Sequence, residues 1–323
     1  MLDQYGRVIN YLRISVTDRC NLRCCYCMPE GVQDVGMKNI LTFEEIWEIV
    51  RTGVSLGITH IRITGGEPLV RKGCVDLIRG IREIPGVETI TMTTNGVLLG
   101  NYAKQLKEVG VDSVNISLDT LDSEEFYKIT GKRELQEVLT GIRAAKTAGL
   151  QVKLNAVNRK ELDPLPLVRY AQKENLPLRF IEMMPVGYGK KYVGRSNEEL
   201  RKTLATVCGK PECITNREEL SRMGSGPAVY YRFSDLKVPV GFISAIHGKF
   251  CDTCNRIRLT AEGYLKLCLC YDKGADLRRA LREGEKENLR TIMEETIFQK
   301  PAAHCFEHPA EMTETHEMIK IGG

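Results

Sequence analysis

The sequence CNLRCCYCM places four thiols within eight residues: Cys20, Cys24, Cys25 and Cys27. Three of them have the spacing C-x3-C-x2-C, which suits a short metal-binding loop. A [4Fe–4S] cubane held by Cys20, Cys24 and Cys27 would keep one iron open for a small molecule. A structural zinc site is the alternative, and the thiols alone do not decide between the two. Cys25 has no assigned role.

A second group of thiols lies in the sequence CDTCNRIRLTAEGYLKLCLC. Cys251, Cys254 and Cys268 have the spacing C-x2-C-x13-C, and Cys270 follows two residues later. Taken alone, this pattern favours a zinc ribbon in which Cys270 is the fourth ligand.

The composition narrows the class of protein. Twelve cysteines in 323 residues, with no signal peptide, indicate metal or redox chemistry in a reducing cytoplasm. A net charge of +4 without a basic run argues against nucleic acid as a partner. The apolar stretches are too short to span a bilayer, so no membrane partner is expected. Four isolated cysteines are predicted to be small buried side chains: Cys74, Cys208, Cys213 and Cys305.

Residues 8–184 supply the elements that must position these thiols, because β-rich runs alternate there with amphipathic helices. Six strands are predicted, at 11–17, 58–64, 88–94, 112–118, 151–157 and 178–184. The alternation predicts an α/β fold with a parallel sheet, either doubly wound or curled into a partial (βα)6 TIM-like barrel; we favour the barrel. Thr42 is predicted to cap the first helix, with Glu45 completing a capping box.

Right-handed crossovers place the carboxyl ends of all six strands on one face. The residues that follow the strands would therefore meet there: Cys20, GGEP (65–68), TTNG (93–96), Ser117, Asp119, Asn155 and Met184. We place a boundary after residue 233, so that residues 1–233 form the barrel. Residues 234–323 then form a C-terminal α+β extension that carries the second thiol group. The sequence predicts no function for residues 187–226.

The sequences LRISVTDRCNLRCCYCM and ITGGEPLVR together resemble the radical S-adenosylmethionine enzymes. In that superfamily the C-x3-C-x2-C loop holds a [4Fe–4S] cluster whose open iron binds S-adenosylmethionine. One electron from the cluster cleaves this cofactor and releases a 5′-deoxyadenosyl radical. The resemblance implies contacts with S-adenosylmethionine at Tyr26, Gly66, Ser117 and Met184, where the glycine lets the backbone approach closely.

Together with the second thiol group and the terminal IGG, the sequence resembles the members of this superfamily that cyclise GTP for molybdenum-cofactor biosynthesis. There the radical removes the 3′ hydrogen of GTP, and the carbon radical attacks C8 of guanine. The resemblance implies a second three-cysteine [4Fe–4S] cluster on Cys251, Cys254 and Cys268, which leaves Cys270 spare. The implied substrate contacts are Arg13, Arg62, Thr93, Lys153, Arg256, Ile257 and Arg258. The terminal Gly322 and Gly323 are implied to enter the active site.

The resemblance also implies an electron donor such as a flavodoxin or a ferredoxin. It does not decide whether the protein forms a homodimer. Two alternatives remain. The first is a two-cluster radical enzyme that modifies a peptide, and the arginines at 256 and 258 argue against it. The second is a zinc-stabilised binding module, which the weak net charge and the lack of aromatic–basic interleaving disfavour as a nucleic-acid binder.

Overall fold

A computed structural model describes residues 1–31, 35–192, 194–224, 226–284 and 286–322. The strands in these residues are β1 Tyr11–Ser15, β2 His60–Thr64, β3 Thr89–Thr94, β4 Ser113–Ser117, β5 Gln151–Asn158, β6 Leu178–Glu182, β7 Pro211–Cys213, β8 Val229–Phe233, β9 Val240–Ile243, β10 Arg256–Leu259, β11 Tyr264–Lys266 and β12 Gly274–Asp276. The α-helices are α1 Phe43–Ser55, α2 Cys74–Arg82, α3 Leu99–Glu108, α4 Ser123–Thr130, α5 Leu135–Thr147, α6 Leu165–Glu174, α7 Asn197–Cys208, α8 Arg217–Arg222, α9 Leu277–Arg282 and α10 Leu289–Phe298.

All twelve strands form one sheet, in the order β12-β11-β10-β1-β2-β3-β4-β5-β6-β9-β8-β7. Within the run β10-β1-β2-β3-β4-β5-β6-β9, each strand is parallel to the next. Strands β1 to β6 lie in chain order with at least one helix between each pair, so the six predicted strands and their alternation are confirmed. An α/β fold with a large parallel sheet is therefore established.

The C-terminal residues add strands to this sheet at both sides. Strand β10 pairs with β1, so that Arg13 lies opposite Arg258 on one side and opposite Arg62 on the other. Strand β9 pairs with β6, and β8 pairs with β9 in the antiparallel direction. The sequence did not indicate either pairing, because both join residues that are far apart in the chain. The boundary after residue 233 stays a prediction.

Short sequence signals mark the start of α1 and the end of α4. The capping box is confirmed, since the Thr42 hydroxyl accepts from the Glu45 N–H at 3.2 Å and the Thr42 N–H donates to the Glu45 carboxylate at 2.7 Å. Two helices, α4 and α5, lie between β4 and β5, and α4 ends at Gly131, which adopts a φ of 70°.

The isolated cysteines divide into two kinds. Cys74, Cys208 and Cys305 are buried, as predicted, whereas the prediction is wrong for Cys213, which is exposed. Cys213 lies in β7, a three-residue strand at the edge of the sheet, where strands are more open to solvent. In the described part of the chain, no helix combines the length and the apolarity needed to cross a membrane.

Candidate active site

The first thiol group lies on the loop that follows β1. The N–H groups of Cys27 and Met28 both donate to the carbonyl of Cys24 at 2.9 Å, which closes a tight turn. Burial raises the pKa of Cys20 to about 11 and that of Cys27 to about 12. Burial also raises the pKa of Cys24, and the neighbouring thiols Cys27 and Cys20 raise it further. Buried thiols that oppose one another's ionisation suit a site where a cationic metal centre replaces their protons.

Two glycines seat this loop against the end of β2. The Gly66 N–H donates to the carbonyl of Thr17 at 2.8 Å. A Cβ atom on Gly65 would lie 2.5 Å from that Thr17 oxygen, and one on Gly66 would lie 2.4 Å from the carbonyl oxygen of Arg19. Glycine is therefore required here by the protein's own loop, a reason that sequence reasoning missed.

Two polar residues at adjacent strand ends, Glu67 and Asn95, support the same loop. The fully buried Glu67 carboxylate accepts from the Thr94 hydroxyl at 2.8 Å and from the Asn95 N–H at 2.7 Å, and burial raises its pKa to about 7. The Asn95 amide donates to Asn21 Oδ1 at 2.8 Å and lies 3.7 Å from Cys20 Sγ. Sequence reasoning quoted GGEP and TTNG without assigning these two residues a role.

The aromatic residue of the loop is fixed by a buried carboxylate. The Tyr26 hydroxyl donates to Asp119 Oδ2 at 2.8 Å, and Asp119 Oδ1 accepts from the Val157 N–H at 2.8 Å. Burial raises the pKa of Asp119. Ser117 is exposed at the carboxyl end of β4, and Met184 follows β6 two residues after its end. Tyr26, Gly66, Ser117 and Met184 thus share one edge of the sheet, and their contact with S-adenosylmethionine stays a prediction.

The second thiol group lies beside the strand pair β10–β11. Cys251 and Cys254 precede β10, and Cys268 follows β11, which is antiparallel to β10, so all three lie at the same end of this pair. Although burial raises the pKa of Cys254, Lys300 and Arg256 lower it to about 7. Positive side chains therefore favour the thiolate in this group.

Cys270 has a partner outside the second group. Its fully buried Sγ atom lies 3.0 Å from Cys305 Sγ, and it also accepts from the Cys305 N–H at 3.2 Å. Sequence reasoning assigned no role to either residue. A zinc ribbon would need the Cys270 thiol as its fourth ligand, whereas a three-cysteine cluster leaves it available to Cys305.

The two thiol groups lie at opposite ends of a strand pair. Strand β10 is parallel to β1, and Cys254 precedes β10 whereas Cys20 follows β1. The five residues of β1 span roughly 16 Å at about 3.3 Å per residue. Among the described residues, no three His, Cys, Asp or Glu side chains form a group that could hold a single metal ion.

A row of cations lies on the strands between the two groups; Lys153 is buried, whereas Arg13, Arg62 and Arg258 are half-buried. Burial lowers the pKa of Arg13, and the neighbouring Arg258 and Arg62 lower it further. Burial, Arg179 and Arg62 lower the pKa of Lys153 to about 8, and burial together with Arg256 lowers that of Arg258 to about 10. Cations that disfavour one another's charge in this way suit a polyanionic ligand, and their contact with the substrate stays a prediction.

Three further residues, Thr93, Ile257 and Arg179, lie on the strands that carry this row of cations. Thr93 Oγ1 accepts from Arg62 Nη1 at 3.5 Å. The Ile257 side chain is fully buried and alternates along β10 with those of Arg256 and Arg258, so its main chain alone can face the cations. Arg179, which sequence reasoning missed, is buried and donates to Asn155 Oδ1 at 2.9 Å. The sequence signal that could have identified Arg179 was a positive charge inside a largely apolar strand, LRFIE.

The carboxy-terminal segment ends beside this row. Arg258 Nη1 donates to the carbonyl of Gly322 at 2.7 Å. Gly322 has a φ of 81° and lies next to Ser15 and Thr64, the last residues of β1 and β2. Gly323 lies outside the described residues, so its predicted role is not placed.

Comparisons with known proteins first give the class. Residues 14–162 match the model of the Radical SAM superfamily, and residues 176–306 match that of Molybdenum Cofactor Synthesis C. The fold is similar to that of Streptococcus suis SuiB bound to S-adenosylmethionine, with a TM-score of 0.67 and 14% identity over 97% of this chain and 77% of that one.

Curated relatives then give the family. GTP 3′,8-cyclase of Clostridium perfringens (strain SM101) is 43% identical over 330 residues, which cover 100% of both chains. GTP 3′,8-cyclase of Peptoclostridium acidaminophilum is 45% identical over 336 residues, which cover 100% of this chain and 98% of the relative. The chain belongs to the GTP 3′,8-cyclase family of radical S-adenosylmethionine enzymes.

Proposed function

We propose that this protein converts GTP to 3′,8-cyclo-7,8-dihydro-GTP, the first step of molybdenum-cofactor biosynthesis. The observation that carries the proposal is the row of mutually destabilised cations between two groups of three thiols. A nucleoside triphosphate is long enough to extend along such a row. Its phosphates match the planar donors of Arg13, Arg62 and Arg258.

The thiols fit two [4Fe–4S] clusters. Cys20, Cys24 and Cys27 would hold the first, and Cys251, Cys254 and Cys268 would hold the second, with three protein ligands for each four-iron cluster. When bound, the first cluster and S-adenosylmethionine would supply a 5′-deoxyadenosyl radical as the species that abstracts the 3′ hydrogen of GTP. The protein's part is to orient the reactants, and Tyr26, held by Asp119, is one fixed wall of the cofactor site.

The substrate lies between the two ends of the strand pair. Arg256, whose Nη2 is 3.9 Å from Cys254 Sγ, would hold the purine end of GTP near the second group, whose cluster would supply a metal site for the base. Arg13, Arg62, Thr93 and Lys153 hold the triphosphate, and the main chain of Ile257 borders it. Arg258 links this site to the glycine tail through the carbonyl of Gly322, and in the proposed function Gly322 and Gly323 have a part in catalysis.

The scaffold is a partial (βα)6 barrel. A flat sheet would put β1 and β6 about 24 Å apart, at about 4.8 Å per strand. Nevertheless, Arg179 on β6 interacts electrostatically with Arg62 on β2 and Tyr11 on β1, which supports a curved sheet with these side chains inside. Residues 234–323 close the open side as an extension. We further propose a cytoplasmic enzyme, without nucleic-acid or membrane partners, that takes its electrons from a flavodoxin or ferredoxin.

Isotope transfer tests the proposal. Anaerobically reconstituted protein is incubated with S-adenosylmethionine, a reductant and GTP deuterated at C3′. The deuterium should appear in 5′-deoxyadenosine, and the cyclised triphosphate should accumulate. The adjacent cysteines provide a matched pair, because Cys24→Ala should abolish product whereas Cys25→Ala should retain it. Deuterium that stays in GTP while 5′-deoxyadenosine forms would show that another hydrogen is abstracted.

The alternatives are disfavoured. A zinc module would need a closed four-ligand site, and Cys270 is engaged by Cys305 instead. A peptide-modifying enzyme would not need such a row of cations, and the likeness to SuiB is one of fold alone at 14% identity.

A further inference from the structure

The carboxy-terminal strap, residues 312–322, is attached at its start by a buried ion pair. Glu314 pairs with Lys266 on β11, and both side chains are almost fully buried. Glu314 also accepts from the His316 N–H at 2.7 Å. This end of the strap is therefore held by groups with little access to solvent.

The other end of the strap is held by one lysine between two carboxylates. Lys320 Nζ lies 3.2 Å from Asp18 Oδ2 and 3.8 Å from Glu262 Oε1. Asp18 is buried on the loop between β1 and Cys20, and Glu262 lies in the turn between β10 and β11. Strands β1 and β10 are adjacent and parallel, so both carboxylates lie at the carboxyl end of this strand pair. Without Lys320, nothing on the strap would offset the two negative charges at this point.

The residues on both sides of Lys320 contact the site. Ile319 and Ile321 are buried, and the carbonyl of Gly322 accepts from Arg258 at 2.7 Å. The N–H of Ile319 also faces the Cys27 thiol. The strap therefore touches both the thiol loop and the cation row over four residues, and Lys320 is its charged attachment there.

We propose that Lys320 is a positioning residue: its ion pairs with Asp18 and Glu262 hold the strap closed and place Gly322 beside Arg258. The inference rests on the proposed function in one respect, namely that the strap closes over the GTP site. Lys320 itself does not touch the substrate. Its loss leaves Glu314 to anchor the strap at the far end, so the last residues detach while the fold persists.

Hydrogen exchange of the strap in the reconstituted enzyme without GTP tests this directly. In Lys320→Ala, the amides of residues 318–322 should exchange at least about tenfold faster than in the unchanged protein, while those of β1 to β6 keep their rates. Lys320→Arg, which retains the charge, should restore protection. Lys237→Ala is the matched control, because Lys237 is exposed in the loop that precedes β9. Unchanged exchange in Lys320→Ala would overturn the proposal.

Activity gives the second readout. Iron content and the cluster spectra should stay unchanged in Lys320→Ala. The kcat for cyclisation should fall about tenfold or more, with a smaller change in KM for GTP, because Lys320 positions Gly322 and is not itself a substrate contact. Normal kcat together with fast exchange would show that closure by Lys320 is irrelevant to turnover. If the unchanged protein makes no product from GTP, the proposed function fails, whereas the exchange result still decides the role of Lys320.

Discussion

Lys153 gives the sharpest test of the cation row, because its charge is lost within an accessible pH range. Burial and the neighbouring Arg179 and Arg62 lower its pKa from 10.5 to about 8 in the absence of substrate. A bound triphosphate would stabilise the charged lysine and return its pKa toward the ordinary value. GTP binding near pH 8 should then take up about half a proton at this site, since half of the free protein carries neutral Lys153.

The same values set the size of the pH effect. The protonated fraction of Lys153 falls from about nine-tenths at pH 7 to about one-tenth at pH 9, so the dissociation constant for GTP should rise roughly tenfold. Calorimetry of the reconstituted enzyme in two buffers of different ionisation enthalpy measures both the constant and the proton uptake. The cysteine ligands hold metal in this form and do not titrate.

Lys153→Arg is the control, because arginine stays protonated throughout this range. It should bind GTP with a nearly flat pH dependence and with no proton uptake at pH 8. Equal proton uptake by Lys153→Arg and the unchanged protein would assign the titration to another group. A dissociation constant that stays constant from pH 7 to pH 9 in the unchanged protein would refute the reasoning outright.

Two pairs of variants test the metal sites and the loop that seats the first of them. After anaerobic reconstitution, Cys270→Ala should keep the iron and sulfide of both clusters, whereas Cys268→Ala should lose about half; zinc without sulfide would contradict two cubanes. Gly66→Ala should destabilise the protein by about 2 kcal/mol or more in thermal unfolding, because its Cβ would lie 2.4 Å from a carbonyl oxygen. Gly100→Ala, where the nearest atom is 3.9 Å away, should be tolerated, and equal losses would contradict the packing argument.

Hydrophobic periodicity and helix-capping signals were sufficient to predict the six central strands. Each of these strands is a short apolar run between helices, and the helices have N-cap signals of their own. Thr42 with Glu45 shows how local this information is. The pairing of β10 with β1 was not predictable in the same way. Both strands are short; YLRIS carries one charge and RIRL alternates arginine with apolar residues, and nothing within RIRL specifies a partner more than 240 residues away.

The same distinction applies to the site. Residues at strand ends, such as Cys20 and Gly66, could be gathered on one edge from topology alone. Arg179 and Asp119 could not be assigned roles, because their significance lies in what they face: Asn155 for the first and Tyr26 for the second. The relative position of the two thiol groups likewise depended on the direction of β10, which the sequence alone does not reveal.

The cation row also implies a cost that the protein bears without its substrate. A pKa of about 8 for Lys153, against 10.5 in the unfolded chain, means that the folded state disfavours the charged lysine by up to about 3 kcal/mol at pH 7. Between pH 8 and 10.5 the unfolded chain binds more protons than the folded one, so this group makes stability rise with pH. Lys153→Met should therefore raise the midpoint of thermal unfolding of the GTP-free protein at pH 7 while weakening GTP binding. A lower midpoint in Lys153→Met would mean that the lysine stabilises the protein without GTP. The cation row would then not be a destabilising feature that an anion relieves.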